Sequence, residues 1–325
     1  MTVEPSLLAE FQNALRNAKS VLIGTHLNPD GDALGSALAL SHYLWAEGIK
    51  NEVLCNNPPP ANLQFLPGAN QIRQEPISNG HDLAVILDLE TIERLGRPAQ
   101  YFTPIPKMVV IDHHVPHEKP GDIRIVDVSA SATAVILARI LEGLGAKFTP
   151  EIAICLLTGI VTDTGSFRFR NTNPESLLWA AKMLEAGADI NVISEEVFQR
   201  KPRAAVELLG RMLEKMVLAS DDRVAYASIS HEDFESIGAL DEHTEGFVNE
   251  LLSIQSVQVA ALMREAKPGR VRVSLRSRGD VDVAKVAQEL GGGCHRNAAG
   301  ISFDMPLQEV EDLLVPRLFS CLESF

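Results

Sequence analysis

The residues of this chain best suited to chemistry are His26, Asp30 and Asp32 in the run Thr25-His-Leu-Asn-Pro-Asp-Gly-Asp32, then Asp88, the triplet Asp112-His113-His114, and Asp163. Together they read as a two-metal site. The acids and imidazoles recur at the ends of short apolar runs, where a parallel sheet would present them in one crevice. So many hard donors in one place suit divalent cations, and the chemistry such a centre favours is hydrolysis of phosphate esters.

Each group also has a plainer explanation. Pro29 and Gly31 favour a tight turn that could aim Asp30 and Asp32 inward, but both acids could instead cap the helix that follows, with His26 an exposed loop residue. Asp88 after an apolar strand could simply open a solvated turn. The triplet is harder to explain that way, because Val109-Val110-Ile111 delivers three polar groups where a buried strand emerges. Asp163-Thr-Gly-Ser-Phe167 alone is an ordinary polar turn; beside the other motifs it becomes a further source of ligands.

The elements that must position these side chains follow from the apolar pattern. Strand-length runs at 21–24, 83–87 and 108–111 alternate with helical periodicity at 32–47, 131–144 and 150–161, which predicts an α/β fold with a parallel sheet flanked by helices. Asp163 is expected in the turn after the last of these helices. Residues 173–186 and 189–216 read as mostly helical. Beyond 220, strands at 224–229, 257–263 and 271–275 interleave with helices at 231–237, 243–254, 282–290 and 306–322, giving a second, smaller α/β domain. The predicted division is a metal-binding catalytic domain at 1–187, a helical linker at 188–219 and a substrate-binding domain at 220–325.

Composition narrows the function classes. The 325 residues are 46% hydrophobic and 22% charged, an ordinary globular balance with enough length for two cores. No apolar run approaches the roughly 20 residues that span a bilayer, and the first residues lack the apolar segment of a secretory signal, so a cytoplasmic protein is expected. The four cysteines form no Cys-x-x-Cys pair, which argues against a zinc ribbon or disulfide framework. A net charge of −14 disfavours tracking along a long nucleic acid but not binding of a short phosphate-bearing substrate.

Taken in order, Thr25 to Ser36, Leu87-Asp88, Ile111-Asp-His-His114 and Thr162-Asp-Thr-Gly-Ser-Phe167 resemble the motifs of the DHH family of phosphoesterases, and the resemblance covers nearly the whole chain. Val273-Ser-Leu-Arg-Ser277 and Gly291-Gly-Gly-Cys-His-Arg-Asn-Ala-Ala-Gly300 are similar to the DHH-associated C-terminal domain of the nano-RNase type, which joins oligoribonuclease and pAp phosphatase activities. The resemblance implies that His26, Asp30 and Asp88 hold one metal and that Asp32, Asp88, His113 and Asp163 hold the other, with Asp88 bridging. It implies that Asp112 supports a ligand and that His114 faces the scissile phosphate. Manganese is the usual metal of the family, and mixed carboxylate and imidazole donors suit it, whereas a thiolate-rich site would point to zinc; the donor types leave magnesium and cobalt open. The resemblance departs at Cys294, where the family is expected to carry glycine.

Substrate contacts are expected in the second domain. Strand alternation puts Val271, Val273 and Leu275 on one face and Arg272, Ser274 and Arg276 on the other, with Arg278 continuing the row. Arg272 and Arg278 could equally decorate a solvated sheet face; the resemblance favours Arg276. Gly292 and Gly293 would let backbone amides approach a ligand with His295 beside them, although the glycine run could also be a helix C-cap.

The expected activity is manganese-dependent hydrolysis of short oligoribonucleotides to mononucleotides, with dephosphorylation of 3′-phosphoadenosine 5′-phosphate (pAp) beside it. A two-domain grip on a few nucleotides fits the acidic surface better than digestion of long strands or duplexes. Expected partners are short oligonucleotides or small phosphonucleotides, with room for a homodimer and no membrane. Two other readings are a phosphodiesterase of cyclic dinucleotides such as c-di-AMP or of their linear products, and a catalytically silent nucleotide-binding regulator.

Overall fold

The computed structural model describes residues 3–89, 91–115 and 118–323, with the side chains of 293–295 and 323 outside that description. The chain forms two compact units, Met1–Arg200 and Lys201–Phe325. The division falls inside the stretch 188–219.

The first unit runs α1 (Pro5–Asn17), β1 (Ser20–Gly24), α2 (Gly31–Ala46), β2 (Lys50–Leu54), β3 (Leu83–Leu87), α3 (Ala99–Phe102), β4 (Met108–Asp112), β5 (Ile123–Val126), α4 (Thr133–Gly143), α5 (Pro150–Asp163), α6 (Pro174–Glu185) and α7 (Ile190–Ser194). Its five strands are parallel in the order β2-β1-β3-β4-β5. The chain leaves β1 toward β2 on one side and returns to place β3 on the other. Such a reversal opens a crevice at the carboxyl ends of the two strands.

Both faces of this sheet are covered, which is why β3, and β4 up to its last residue Asp112, are continuously apolar rather than alternating. On one side Val85 and Ile111 pack under Leu34 of α2, Ile136 of α4 and Leu156 of α5; on the other Leu22, Ile86 and Val110 pack under Leu95 and Phe102. The edge strands β2 and β5 were not predicted. They are only partly buried, so their sequences carry polar residues and lack the continuous apolar run.

Helices α2 and α5 cross in close contact. A Cβ on Gly35 would lie 2.3 Å from the Cys155 carbonyl oxygen, and one on Gly159 would lie 2.7 Å from Asp32 Oδ1. The missing side chains let the backbones touch, so the acid at the start of α2 and the acid at the end of α5 share one neighbourhood. Contrary to the expectation from sequence, Asp163 is the last residue of α5, not part of the following turn.

The second unit contains α8 (Arg203–Glu214), β6 (Val217–Ala219), β7 (Val224–Ile229), α9 (His231–Ile237), α10 (Phe247–Leu252), β8 (Val259–Lys267), β9 (Arg270–Ser277), α11 (Val283–Glu289), β10 (Gly293–His295), β11 (Ala298–Phe303) and α12 (Leu307–Glu323). The sheet is mixed, in the order β10-β11-β9-β8-β7-β6. Val271, Val273 and Leu275 bury one face against Val286 of α11 and Leu314 of α12. Ala260 and Leu262 point the other way, under Leu208 of α8, Phe234 of α9 and Phe247 of α10. Strands β6, β10 and β11 were not predicted either; they are short or rich in alanine and glycine. Among the described residues, no helix is long and apolar enough to cross a membrane.

Candidate metal centre

The crevice of the first unit gathers the predicted ligands. His26, Asp30 and Asp88 offer donor atoms within 4.8 Å of one another, as do Asp32, His113 and Asp163, and as do Asp88, His113 and His114. The loop after β1 supplies His26, and Asp88 follows the last residue of β3. Asp112 ends β4, with His113 and His114 directly after it.

Asp88 is the hinge of the arrangement. Its Oδ2 lies 3.4 Å from His26 Nε2 and its Oδ1 lies 3.6 Å from His113 Nε2. One carboxylate thus faces two ligand groups with two different oxygens. Its backbone sits at φ +60°, the left-handed region that a non-glycine residue enters at a cost of about 1–3 kcal/mol.

Backbone carbonyls fix the imidazoles of the two candidate ligands His26 and His113. His26 Nδ1 donates to Leu27 O at 2.8 Å, and His113 Nδ1 donates to Ala130 O at 3.3 Å. In each ring Nε2 is then the atom that meets the carboxylates, at 3.8 Å from Asp30 Oδ2 for His26 and 3.6 Å from Asp163 Oδ2 for His113. Metal-binding histidines are held in this way, so the donor set fits a pair of divalent cations in both type and orientation.

His114 is held differently. Asp112 Oδ1 accepts from its Nδ1 at 2.8 Å and from its backbone N–H at 3.1 Å. Asp112 is fully buried.

The cap explanation of the first motif also holds in part. Asp30 Oδ1 accepts from the N–H groups of Asp32 and Ala33, capping α2, while Oδ2 faces His26. Asp32 caps a different helix: its Oδ2 accepts from Thr133 N–H at 2.6 Å and its Oδ1 from Ala134 N–H at 2.9 Å, at the start of α4. Thr133 Oγ1 also donates to Asp88 Oδ1 at 3.0 Å. Thr133 was not singled out from the sequence, although the small polar run before an apolar helix was the available signal.

Burial and the charges of Asp88 and Asp163 hold the Asp32 carboxyl well above the usual range. Burial, with Asp88 and Asp30 beside it, pushes Asp163 up to about 7. Burial opposes charge on the imidazoles too, but the Asp88 contact raises His26, the charges of Asp163, Asp88 and Asp32 carry His113 to about 9, and Asp112 with Asp88 raises His114. Asp88 itself is held far below the carboxylate range, because the His26 hydrogen bond and the three imidazoles outweigh its burial. Crowded acids of this kind retain protons that a cation would displace.

The other predicted site residues lie in the second unit. Arg276 of β9 is opposite Ala298 of β11, which is opposite His295 of β10; two positions along, Ser274, Gly300 and Gly293 form the next row on the same face. The side chain expected to contact substrate at His295 lies outside the described residues. Gly291 and Gly292 close α11, donating to Gln288 O and Ala287 O, and a Cβ on Gly292 would meet Gly300 O at 2.3 Å. The C-cap role of the glycine run is therefore present.

Comparison with known proteins agrees with this geometry. The DHH family, N-terminal domain model matches residues 20–160 and the DHHA1 domain model matches residues 221–322. The bifunctional oligoribonuclease and PAP phosphatase NrnA of Thermus thermophilus is 34% identical over 296 residues, 90% of this chain and 86% of that protein. The Bacillus subtilis protein of the same name is 28% identical over 287 residues, 87% of this chain and 89% of that one. The crystal structure of an exopolyphosphatase-related protein from Bacteroides fragilis superposes with a TM-score of 0.90 at 27% identity, over 98% of this chain and 97% of that chain. On the strength of these matches along both units, the chain belongs to the DHH family of phosphoesterases, hydrolases of phosphoric ester bonds.

Proposed function

We propose that this phosphoesterase hydrolyses short oligoribonucleotides to mononucleotides, and pAp as a second substrate, with two manganese ions. The observation that carries the proposal is the division of the two Asp88 oxygens between His26 and His113. The likeness to the Thermus thermophilus and Bacillus subtilis proteins, which are named for these two activities, supports the choice of substrate.

His26, Asp30 and Asp88 would hold one ion, and Asp32, Asp88, His113 and Asp163 the other. A bound divalent pair supplies Lewis acidity, which makes water a competent nucleophile near neutral pH and offsets charge on the oxygens that attack and leave phosphorus.

The chain's own groups do the rest. Asp112 accepts from His114 Nδ1 and, with Asp88, favours the charged imidazole, so Nε2–H is poised to donate to a phosphate oxygen as negative charge builds. Leu27 O and Ala130 O keep the other two rings in the tautomer that turns Nε2 inward. In the second unit Arg276 and the backbone around Gly292 and Gly293 would hold the nucleotide, with His295 at the same edge of the sheet.

A substrate panel with and without manganese tests this directly. RNA of two to about five nucleotides and pAp should turn over only with metal and much faster than long single strands. Preferential hydrolysis of a cyclic dinucleotide would replace the proposal with a cyclic-dinucleotide phosphodiesterase, and faster digestion of long strands would refute the short-substrate assignment.

A further inference from the structure

On the sheet of the second unit, cations oppose each other across the β8–β9 pair. Arg264 is directly opposite Arg272, and after an irregularity in β8 Lys267 is opposite Arg270. Like charges placed this way destabilise a sheet, so the arrangement calls for a compensating anion. The chain supplies part of one. Asp241 Oδ1 accepts from Arg264 Nε at 2.9 Å and its Oδ2 from Arg272 Nη1 at 2.7 Å.

Asp241 leaves the balance positive. Arg264, Lys267, Arg270, Arg272, Ala266 and Asp241 line a recess of about 80 Å³, so four cationic residues and one carboxylate border it. Glu245 lies near enough to favour the charge on Arg264, and Asp304 is 3.9 Å from Arg270, whose side chain stays mostly in solvent. The volume accommodates a phosphate group with a few waters, not a nucleoside.

The guanidinium groups are already in place. Arg264 Nη1 donates to Ser274 Oγ at 2.8 Å while Nε holds Asp241, so the half-buried Arg264 side chain is fixed at two points. Guanidinium groups fixed in advance bind a phosphate with little further loss of side-chain freedom. Arg272, Ser274 and Arg276 lie on one face of β9, and Arg272 to Arg276 spans about 13 Å at the usual rise of a strand.

We propose that this recess is a second phosphate subsite, which grips a phosphodiester of an oligonucleotide beyond the one held at Arg276. The inference rests on the proposed oligonucleotide substrate and deepens it. A mononucleotide such as pAp is too short to engage both positions, so the recess would select for chain length.

The test compares pentanucleotide with pAp in the full-length protein, using Arg272→Ala and, as a variant confined to exposed side chains, Lys267→Ala with Arg270→Ala. The ratio of kcat/KM for pentanucleotide to that for pAp should fall about tenfold in each, carried by KM, while melting temperatures confirm folding. The slope of log(kcat/KM) for the pentanucleotide against log salt should become shallower by about 0.7 for each phosphate that is no longer neutralised. An unchanged ratio and slope in folded variants would overturn the subsite and leave the oligoribonuclease assignment standing. Failure of the unaltered protein to hydrolyse any oligonucleotide would overturn both.

Discussion

Thr133 Oγ1 donates to Asp88 Oδ1 at 3.0 Å across 45 positions of sequence, while the same residue's N–H holds Asp32. The first turn of α4 therefore braces two acids of the proposed metal centre, although Thr133 is not itself a ligand. Groups of this kind typically change metal affinity or activity by about 10–100-fold when removed. Thr133→Val should lose activity in that range and need more manganese for half-saturation, and Thr133→Ser should restore most of it. A valine variant with ordinary manganese dependence would show that the hydroxyl is structural only.

Asp88→Asn should abolish turnover of every substrate. Asparagine keeps the size but cannot offer an anionic oxygen to both ligand groups. Elemental analysis of the purified variant should show fewer bound ions per chain than the parent protein, and full metal occupancy would contradict the bridging role.

Metal affinity should rise with pH. Without metal, Asp163 keeps its proton up to about 7 and His113 up to about 9. Both protons must leave before these atoms bind a cation, so manganese uptake should release protons and tighten from about pH 6 to pH 9. Titration calorimetry in two buffers of different ionisation enthalpy measures the release; equal heats and a flat affinity would refute it.

Gly35→Ala should destabilise the first unit despite better helix propensity. Alanine in a helix interior gains up to about 1 kcal/mol over glycine. Its methyl, however, would fall 2.3 Å from a backbone carbonyl oxygen that cannot rotate away, and overpacking costs about 1–3 kcal/mol. The helices must part, moving Asp32 relative to Asp163. Melting temperature and activity should fall together; a rise in melting temperature would mean that the crossing tolerates a side chain.

Acid should unlock a buried ion pair away from the metal centre. Arg139 donates from Nε to Glu175 Oε1 at 2.6 Å and also pairs with Asp127. Burial opposes charge on the two carboxyls, but the Arg139 hydrogen bonds hold both below their ordinary values. Their stabilisation is thus fully present above the unfolded values of about 3.9 and 4.3 and is lost as pH falls through the lower folded ones. Glu175→Ala should cost about 3 kcal/mol at neutral pH by leaving a buried guanidinium half-paired. It should also weaken the acid dependence of denaturant midpoints, and an unchanged acid limb would refute this assignment.

The sequence by itself determined the parallel α/β class of the first unit and which side chains are candidate ligands. Buried central strands such as β3 and β4 must be apolar on both faces, so their ends stand out wherever an acid or imidazole follows, as at Asp88 and Asp112. Edge strands β2 and β5 were not legible, because half-exposed strands carry polar residues and lose the pattern. Only the tertiary structure decided that Asp32 caps α4 rather than its own helix, that Asp88 turns one oxygen to each ligand group, and that cations face each other across β8 and β9. Those relations depend on helix crossings and strand register, which join residues far apart in the chain and leave no periodic trace within any single segment.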